Sequence, residues 1–256
     1  MSIVTAHPPG AFCWVELATT NQNGAKAFYG SLFGWKFNDM DMGPSGVYTI
    51  FTLKDQDVAA GYTLNPEQMP GVPPHWMLYV AVADADAAVR RCTELGGEVV
   101  MPAFDVFDKG RMAVLKDPTG GVHNVWQPKT NTGIGITNEP GAFCWGQLNA
   151  SDLTKAERYY TAMFGWGANT GTGGGMTYTE WTLGGTPMGG MMALPPGAPA
   201  ASHWLAYFAV ADCDASAAKA VSLGATQCVP PTDIPGSGRF AVFTDPQGAF
   251  FAIYTA

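Results

Sequence analysis

Two positions in this sequence combine a polar side chain with a tryptophan in a repeated motif. The hexapeptide PGAFCW occurs at residues 9–14 and again at residues 140–145; Glu16 follows the first copy and Gln147 the second, each two positions after the tryptophan. Residues two apart in a strand lie on one face. A carboxylate there can anchor a ligand or remove a proton, whereas an amide cannot act as a base. Glu16 is therefore the candidate polar anchor or general base, with an exposed carboxylate at a strand edge as the alternative.

The repeat extends well beyond the hexapeptide. Residues 9–35 match residues 140–166 at 12 of 27 positions, and HWMLYVAVAD and GRMAVLKDPTGG are matched later by HWLAYFAVAD and GRFAVFTDPQGA. Self-similarity on this scale indicates a tandem duplication. We therefore predict two domains, residues 1–128 and residues 140–256, joined by a polar linker at residues 129–139.

Each half divides again into two copies of a smaller unit. FCWVELA alternates as a strand does, and NQNGAKAFYGSLF has apolar residues at helical spacing behind a capping Asn21, followed by further strands. The order begins again at WMLYVAV, where Asp84 or Asp86 caps the helix ADAAVRRCTEL before three more strands. The chain is therefore predicted to hold four β-α-β-β-β units.

Composition limits the classes of function. Hydrophobic residues make up 47% of the 256 residues and charged residues 13%, a balance typical of a globular protein with a sizeable core. A net charge of −8 without a Lys/Arg cluster argues against nucleic acid and membrane partners. Five cysteines without C-x-x-C spacing predict buried thiols in a reducing compartment. A small molecule is the expected partner, and the cytoplasm is the expected location because no signal peptide is recognisable.

The motifs FYGSLFGWKF and YYTAMFGW after the first strand of each half, and DPTG and DPQG before the last, point to a known family. With four β-α-β-β-β units, they resemble the vicinal oxygen chelate superfamily of glyoxalase I, extradiol dioxygenases, methylmalonyl-CoA epimerases and fosfomycin- and bleomycin-resistance proteins. The paired signatures are most similar to actinobacterial tandem glyoxalase-like proteins labelled hydroxylase or 27-kDa antigen. The resemblance covers nearly the whole chain. It implies an α+β fold of two tandem domains, each with a curved mixed sheet forming a cup.

The resemblance also implies where a metal would be held. Metal-using members place His, Gln or Glu near the middle of each unit's first strand and on its last strand, because a divalent ion must bind two substrate oxygens. Here the corresponding positions hold poor ligands: Trp14, Met77, Asn124, Trp145, Leu205 and Ala252. The segments VAAGYTL and PMGGMMA offer no acidic or imidazole group either. We therefore predict metal-free cups and no cofactor.

Aromatic and polar side chains on the cup strands then form candidate pockets for an organic ligand. Glu16 is the candidate catalytic residue. The candidate ligand-binding residues are Trp14, Glu16, Tyr48, His75, Met77, Tyr79, Asn124, Trp145, Gln147, Tyr178, Glu180, His203 and Tyr207. His75 and His203 could transfer protons at the cup rims, or they could only pack against Trp76 and Trp204. His123 alternates with Asn124 and is expected to point away from the cup.

Two classes of function remain. One is a protein that binds a small hydrophobic or aromatic metabolite, comparable to the bleomycin-resistance members. The other is an enzyme acting on such a metabolite, as a lyase, an isomerase or a dioxygenase- or hydroxylase-like protein. The poor ligand set favours binding, or a metal-independent enzyme. A monomer is expected because paired units can complete each cup within one chain, and any chemistry is assigned to the first cup because only that cup has Glu16 in place of Gln147.

Overall fold

The computed structural model describes residues 3–65, 67, 69–173, 176–195 and 201–256. The first half contains β1 (Phe12–Thr19), α1 (Gln22–Phe33), β2 (Lys36–Asp41), β3 (Val47–Leu53), β4 (Gln56–Thr63), β5 (His75–Ala81), α2 (Ala85–Glu94), β6 (Glu98–Val106), β7 (Gly110–Lys116) and β8 (Val122–Pro128). The second half contains β9 (Phe143–Ala150), α3 (Leu153–Phe164), β10 (Gly167–Gly173), β11 (Met176–Leu183), β12 (Thr186–Ala193), β13 (His203–Ala209), α4 (Cys213–Ser222), β14 (Thr226–Ile234), β15 (Gly238–Thr244) and β16 (Phe250–Thr255). The predicted α+β fold of four β-α-β-β-β units in two tandem domains is confirmed.

Each half forms one eight-stranded mixed sheet. In the first sheet, β1 runs antiparallel to β5 and parallel to β4, while β5 runs parallel to β8. The strand order is β2-β3-β4-β1-β5-β8-β7-β6, and the second sheet repeats it as β10-β11-β12-β9-β13-β16-β15-β14. The first and last strands of both units therefore lie side by side at the centre of each sheet, and neither sheet closes into a barrel.

Side-chain caps fix where the four helices begin. The capping residues are Asn21, Asp84, Asp152 and Asp212, each of which accepts a hydrogen bond from a backbone N–H three residues later. Of the two candidates at the second helix, Asp84 is the cap. Asp86 instead accepts two hydrogen bonds of 2.9 Å from Arg111 on β7, which ties the first turn of α2 to the sheet.

The two sheets pack together through the faces opposite Glu16 and Gln147. Phe12 makes ring contacts across this interface with three aromatic residues of the second half: Phe143, Trp166 and Trp204. Gly146 lies at the closest approach, because an added Cβ would stand 2.7 Å from Leu78 and from Phe12. One apolar core therefore spans both halves.

The repeated motifs meet at this interface in reciprocal pairs. The indole of Trp35 donates to the carbonyl of Gly141 at 2.7 Å, and the indole of Trp166 donates to the carbonyl of Gly10 at 2.7 Å. Both glycines adopt positive φ, +91° at Gly10 and +90° at Gly141, a conformation that favours glycine. The FGW tryptophan of each half therefore holds the PGAFCW glycine of the other.

A second reciprocal pair joins each first helix to the DPxG turn of the other half. The hydroxyl of Tyr29 on α1 donates to Asp245 at 2.9 Å, and the hydroxyl of Tyr160 on α3 donates to Asp117 at 2.7 Å. Each hydroxyl also accepts a hydrogen bond of 3.0 Å from an indole of its own half, donated by Trp76 and Trp204. The motifs that identify the duplication thus serve to dock its two halves.

One site on this interface is polar in one copy of the duplication and apolar in the other. His123 points away from the cup as predicted, and its Nε2 lies 3.4 Å from the hydroxyl of Tyr159, which donates to Cys92 at 3.1 Å. The Nδ1 of His123 lies 3.5 Å from the hydroxyl of Tyr160. His123, Tyr159 and Cys92 thus form one polar cluster. The equivalent residues of the other half are apolar: Phe251, Phe28 and Ala220.

All five cysteines are free thiols, as expected. The prediction that all are buried was wrong for Cys144, which is half-buried, and for Cys228, which is exposed because it lies on the edge strand β14. Among the described helices, none is long and apolar enough to span a membrane.

Candidate functional site

The strand register brings most of the candidate residues onto one face of each sheet. In the first half, Trp14 pairs with Tyr79 across β1 and β5, and Tyr79 pairs with Asn124 across β5 and β8. Glu16 pairs with Met77 on the same face. We call this face the first cup. The equivalent face, which carries Trp145 and Gln147, is the second cup.

Glu16 lies at the floor of the first cup between two tyrosine hydroxyls. Tyr79 donates to its Oε1 at 3.0 Å, and Tyr48 donates to its Oε2. Glu16 is only 8% exposed, so the alternative of a solvated carboxylate at a strand edge was wrong. Burial raises the pKa of Glu16, and the two tyrosine hydrogen bonds partly offset that rise. No cationic side chain among the described residues contributes to this balance.

Tyr62 belongs to the same cluster, although sequence reasoning missed it. It pairs with Tyr48 across β3 and β4, and both burial and the charge of Glu16 raise the pKa of Tyr62. The β4 segment was considered only for acidic or imidazole metal ligands, and the phenol of Tyr62 is neither. The available signal was its spacing, because it lies two positions after Ala60, the β4 partner of Glu16.

Asn124 is a buried amide whose hydrogen-bonding capacity is unused. It is 0% exposed, and among the described residues neither its Oδ1 nor its Nδ2 has a hydrogen-bond partner. Leaving a buried polar group unpaired costs about 1–3 kcal/mol. The side chain lies beside Tyr79 on the cup face, where it could supply one donor and one acceptor to a bound molecule.

The second cup repeats the aromatic network around an amide. The hydroxyl of Tyr207 donates to Gln147 Oε1 at 3.0 Å, and the hydroxyl of Tyr178 approaches the same oxygen at 3.4 Å. The indole of Trp145 donates to Tyr178 at 2.9 Å. Gln147 is buried like Glu16. Each cup therefore holds one tryptophan and two tyrosines at equivalent positions around a carboxyl or its amide counterpart, and the first cup has Tyr62 in addition.

A hydrogen-bonded chain connects Gln147 to the rim of the second cup. Its Nε2 donates to Asn149 Oδ1 at 3.1 Å, and Asn149 Nδ2 lies 3.2 Å from His203 Nε2. His203 Nδ1 lies 3.4 Å from the carbonyl of Ala201, so the proton on Nδ1 leaves Nε2 to accept from Asn149. Burial lowers the pKa of His203. Asn149 was not among the predicted residues, and its counterpart in the first half is Ala18.

The remaining candidates lie at the edges of the cups. His75, the first residue of β5, is half-buried, and its Nδ1 lies 2.8 Å from the carbonyl of Pro73. Trp76 alternates with it and faces the interface between the halves. Glu180 on β11 is half-buried and close to Tyr178. Burial, with a smaller effect from the charge of Glu180, raises the pKa of Tyr178 to about 12.

The side chains at the positions that the resemblance assigns to metal ligands do not fit a divalent ion. Tryptophan, leucine and alanine offer no suitable lone pair, and Met77 offers only a soft thioether. Asn124 alone could supply an oxygen. Among the described residues, no group of three or more His, Cys, Asp or Glu side chains is placed to hold a metal.

Two surface depressions lie beside the first cup rather than in it. One, of about 330 Å³, surrounds the start of α1, and the other, of about 220 Å³, lies near Thr20 and Leu64. In the larger one, Lys26 is paired with Asp39 at 2.6 Å, and the amide nitrogen of Gln22 lies within hydrogen-bond distance of three oxygens of neighbouring strands. Because these polar groups already have partners, we place the candidate site at Glu16 and Asn124.

Comparison with known sequences assigns both halves to one family. The model of the Glyoxalase/Bleomycin resistance protein/Dioxygenase superfamily matches residues 12–124 and 134–253. CFP32 of Mycobacterium tuberculosis, named as a candidate glyoxylase, is 43% identical over 94% of this chain and 92% of its own length. The anthracycline biosynthesis protein DnrV of Streptomyces peucetius is 36% identical over 98% of this chain and 94% of its own.

Solved structures share the fold at low sequence identity. The Mn(II)-bound glyoxalase of Novosphingobium aromaticivorans superimposes with a TM-score of 0.67 at 12% identity, covering 96% of this chain and 82% of that one. The 2,3-dioxygenase LapB of Pseudomonas sp. KL28 gives a TM-score of 0.65 at 13% identity, covering 96% and 92%. These similarities establish the architecture, and the chemistry has to be argued from the site.

Proposed function

The chain belongs to the glyoxalase/bleomycin resistance protein/dioxygenase superfamily, and within it we propose a protein that binds a small hydrophobic or aromatic metabolite in its cups without a metal ion. The observation that carries this proposal is the network of one tryptophan and two tyrosines around Glu16, repeated around Gln147. Aromatic walls with a few convergent polar groups are typical of sites for organic ligands.

The chemistry of the cup supports a planar ligand. Trp14 and Tyr79 lie side by side on the cup face, 6% and 3% exposed, and aromatic rings prefer to stack with other rings or to meet them edge to face. Asn124 adds an unused donor and acceptor at the same level of the sheet. The relatives named for anthracycline biosynthesis and as candidate glyoxylases suggest which compounds to test first, namely polycyclic aromatics and small carbonyl compounds.

An enzyme of the same superfamily is the second candidate, and Glu16 is the observation that favours it. A buried carboxyl with a raised pKa is a stronger base once ionised, and it lies next to aromatic surface that could orient a substrate. The role we assign to Glu16 is to remove a proton from a bound metabolite, as in a metal-independent lyase, isomerase or hydroxylase-like reaction. Gln147 cannot do this, so this activity would belong to the first cup.

A thermal-shift screen of metabolites tests the binding proposal. A ligand at 100 times its Kd raises the apparent stability by about 2.7 kcal/mol. Trp14→Ala should abolish the shift for a ligand of the first cup, and Trp145→Ala for one of the second, each measured against the variant's own Tm. Phe107→Ala, at a side chain 72% exposed, is the control. A ligand whose shift survives both tryptophan variants would place binding outside the cups.

Metal content separates the binding proposal from metal-dependent catalysis. Because the inferred ligand positions hold Trp14, Met77 and Leu205, we expect far less than one equivalent of zinc, nickel, iron or manganese per domain, and an unchanged Tm in chelator. Elemental analysis of the purified protein is the measurement. Near one equivalent per domain would contradict our placement of the ligand positions and support the lyase or dioxygenase candidate.

A further inference from the structure

Glu16 is a buried acid without a cationic partner. Its two oxygens accept hydrogen bonds only from phenols, those of Tyr48 and Tyr79, and no Lys, Arg or His among the described residues forms an ion pair with it. Buried carboxylates are normally paired with a cation or bound to a metal, because an uncompensated charge in a low-dielectric site is costly. Glu16 is therefore available as the counter-charge for a cation that a ligand would bring.

The surroundings of Glu16 suit an ammonium group. Trp14 lies two positions away on the same strand face, and Tyr48, Tyr62 and Tyr79 all lie close enough for the charge of Glu16 to raise their pKa values in addition to the effect of burial. Aromatic ring faces attract cations, and cages of such rings recognise amines and quaternary ammonium groups. A carboxylate has about four lone-pair sites, so sites remain after the two phenols have donated.

We propose that the first cup selects metabolites that carry a protonated amine next to an apolar or aromatic body, with Glu16 as the counter-charge. The ammonium group donates to the free lone pairs of Glu16, while the apolar body lies against Trp14 and the neighbouring rings. This inference rests on the proposed binding function and adds the chemical class of the ligand.

The second cup of the same chain provides an internal comparison with the first. Gln147 occupies the position of Glu16 and accepts the same two tyrosine hydrogen bonds, yet it has no charge to offer an amine. The charge of Glu180 contributes to the raised pKa of Tyr178 in this network, but Glu180 is half-buried, so water screens its charge more than that of Glu16. Exchanging carboxylate and amide between the cups should therefore exchange their preference for a cationic ligand.

Titration calorimetry with a matched pair of probes tests the proposal. The probes are 1-naphthylmethylamine, which is cationic at pH 7, and 1-naphthalenemethanol, its neutral counterpart. The wild-type protein should bind the amine at least about tenfold more tightly than the alcohol. Glu16→Gln should remove most of this preference. Glu94→Gln makes the same chemical change at an exposed carboxylate on α2 and should keep the preference.

The second cup provides a test that does not depend on the folding of Glu16→Gln. Gln147→Glu should add a second amine-binding site to the wild-type background, seen as a doubled stoichiometry. If both probes bind equally, or if the amine preference survives Glu16→Gln and does not appear with Gln147→Glu, the ligand class is wrong while binding itself stands. If neither probe binds the wild-type protein, both the ligand class and the proposed function of the first cup are wrong.

Discussion

Single residues distinguish two cups that are built from equivalent strands. Glutamate and glutamine are close to isosteric, and each accepts hydrogen bonds from two tyrosines of its sheet. The exchange therefore leaves the aromatic network intact and changes only whether the floor of the cup can hold a charge or a proton. A ligand recognised by the charge of Glu16 would therefore distinguish the two cups.

His123 should make the interface between the halves sensitive to acid. Burial lowers the pKa of His123 to about 4, against an opposing effect of Asp117. Because the unfolded chain takes up this proton near pH 6.5 and the folded chain only near pH 4, the free energy of unfolding should fall as the pH falls through that window. His123→Phe, which copies Phe251 of the other half, should reduce the fall by about 1–3 kcal/mol.

Urea denaturation of both proteins at pH 7 and pH 4.5 measures this effect. For each protein, the quantity compared is the free energy of unfolding that is lost between pH 7 and pH 4.5. Any change in stability that the substitution makes at neutral pH therefore cancels. Equal losses in the two proteins would show that His123 is not the group that takes up the proton.

The sequence was informative about which side chains share a strand face and much less about which ones touch. Alternation correctly separated Glu16 from the interface and turned His123 away from the cup. The hydroxyl of Tyr48 on Glu16, and the link from Asn149 to His203, depend on pairing between strands 32 and 54 positions apart. Such pairings follow from sheet topology, which local periodicity does not specify.

Among the secondary-structure elements, the PGAFCW segment at the start of β1 contributes residues to two surfaces. Gly10 and Phe12 face the other half, while Trp14 lies on the cup face. The repeat therefore reflects the docking of the halves as much as any ligand site. Repetition revealed the duplication, but only the docked structure shows that the glycine of one copy bonds to the tryptophan of the other.

Gly141 should tolerate a side chain poorly because of this docking. Its φ is +90°, and an added Cβ would lie 2.9 Å from the carbonyl oxygen of Phe33 in the other half. Gly34 has a similar φ of +75° with nothing within 4 Å, so it isolates the backbone cost. We expect Gly34→Ala to lower the free energy of unfolding by about 1–2 kcal/mol and Gly141→Ala to lower it by a further 1 kcal/mol or more, roughly. If chemical denaturation gives equal losses of unfolding free energy for the two variants, the interface accommodates the methyl group of Gly141→Ala without cost.

At the scale of the whole molecule, we expect the two sheets to unfold as one unit rather than as independent domains. The apolar core continues from one half into the other, and the Tyr–Asp and Trp–Gly hydrogen bonds cross the interface in both directions. Each sheet also pairs its two units within the same chain, which is the basis for the monomer that remains our prediction.

Removal of one reciprocal bond should therefore destabilise both halves together. Tyr160→Phe deletes the hydroxyl that donates to Asp117 and accepts from Trp204, so it leaves a buried carboxylate oxygen short of a donor. We expect a loss of about 1–3 kcal/mol and a single unfolding transition that coincides by tryptophan fluorescence and far-UV circular dichroism. Tyr254→Phe is the control and should cost little, because among the described residues its hydroxyl bonds only to Ser237 of the second half. Two separate transitions, with Tyr160→Phe moving only one of them, would mean that the halves fold independently in spite of their common core.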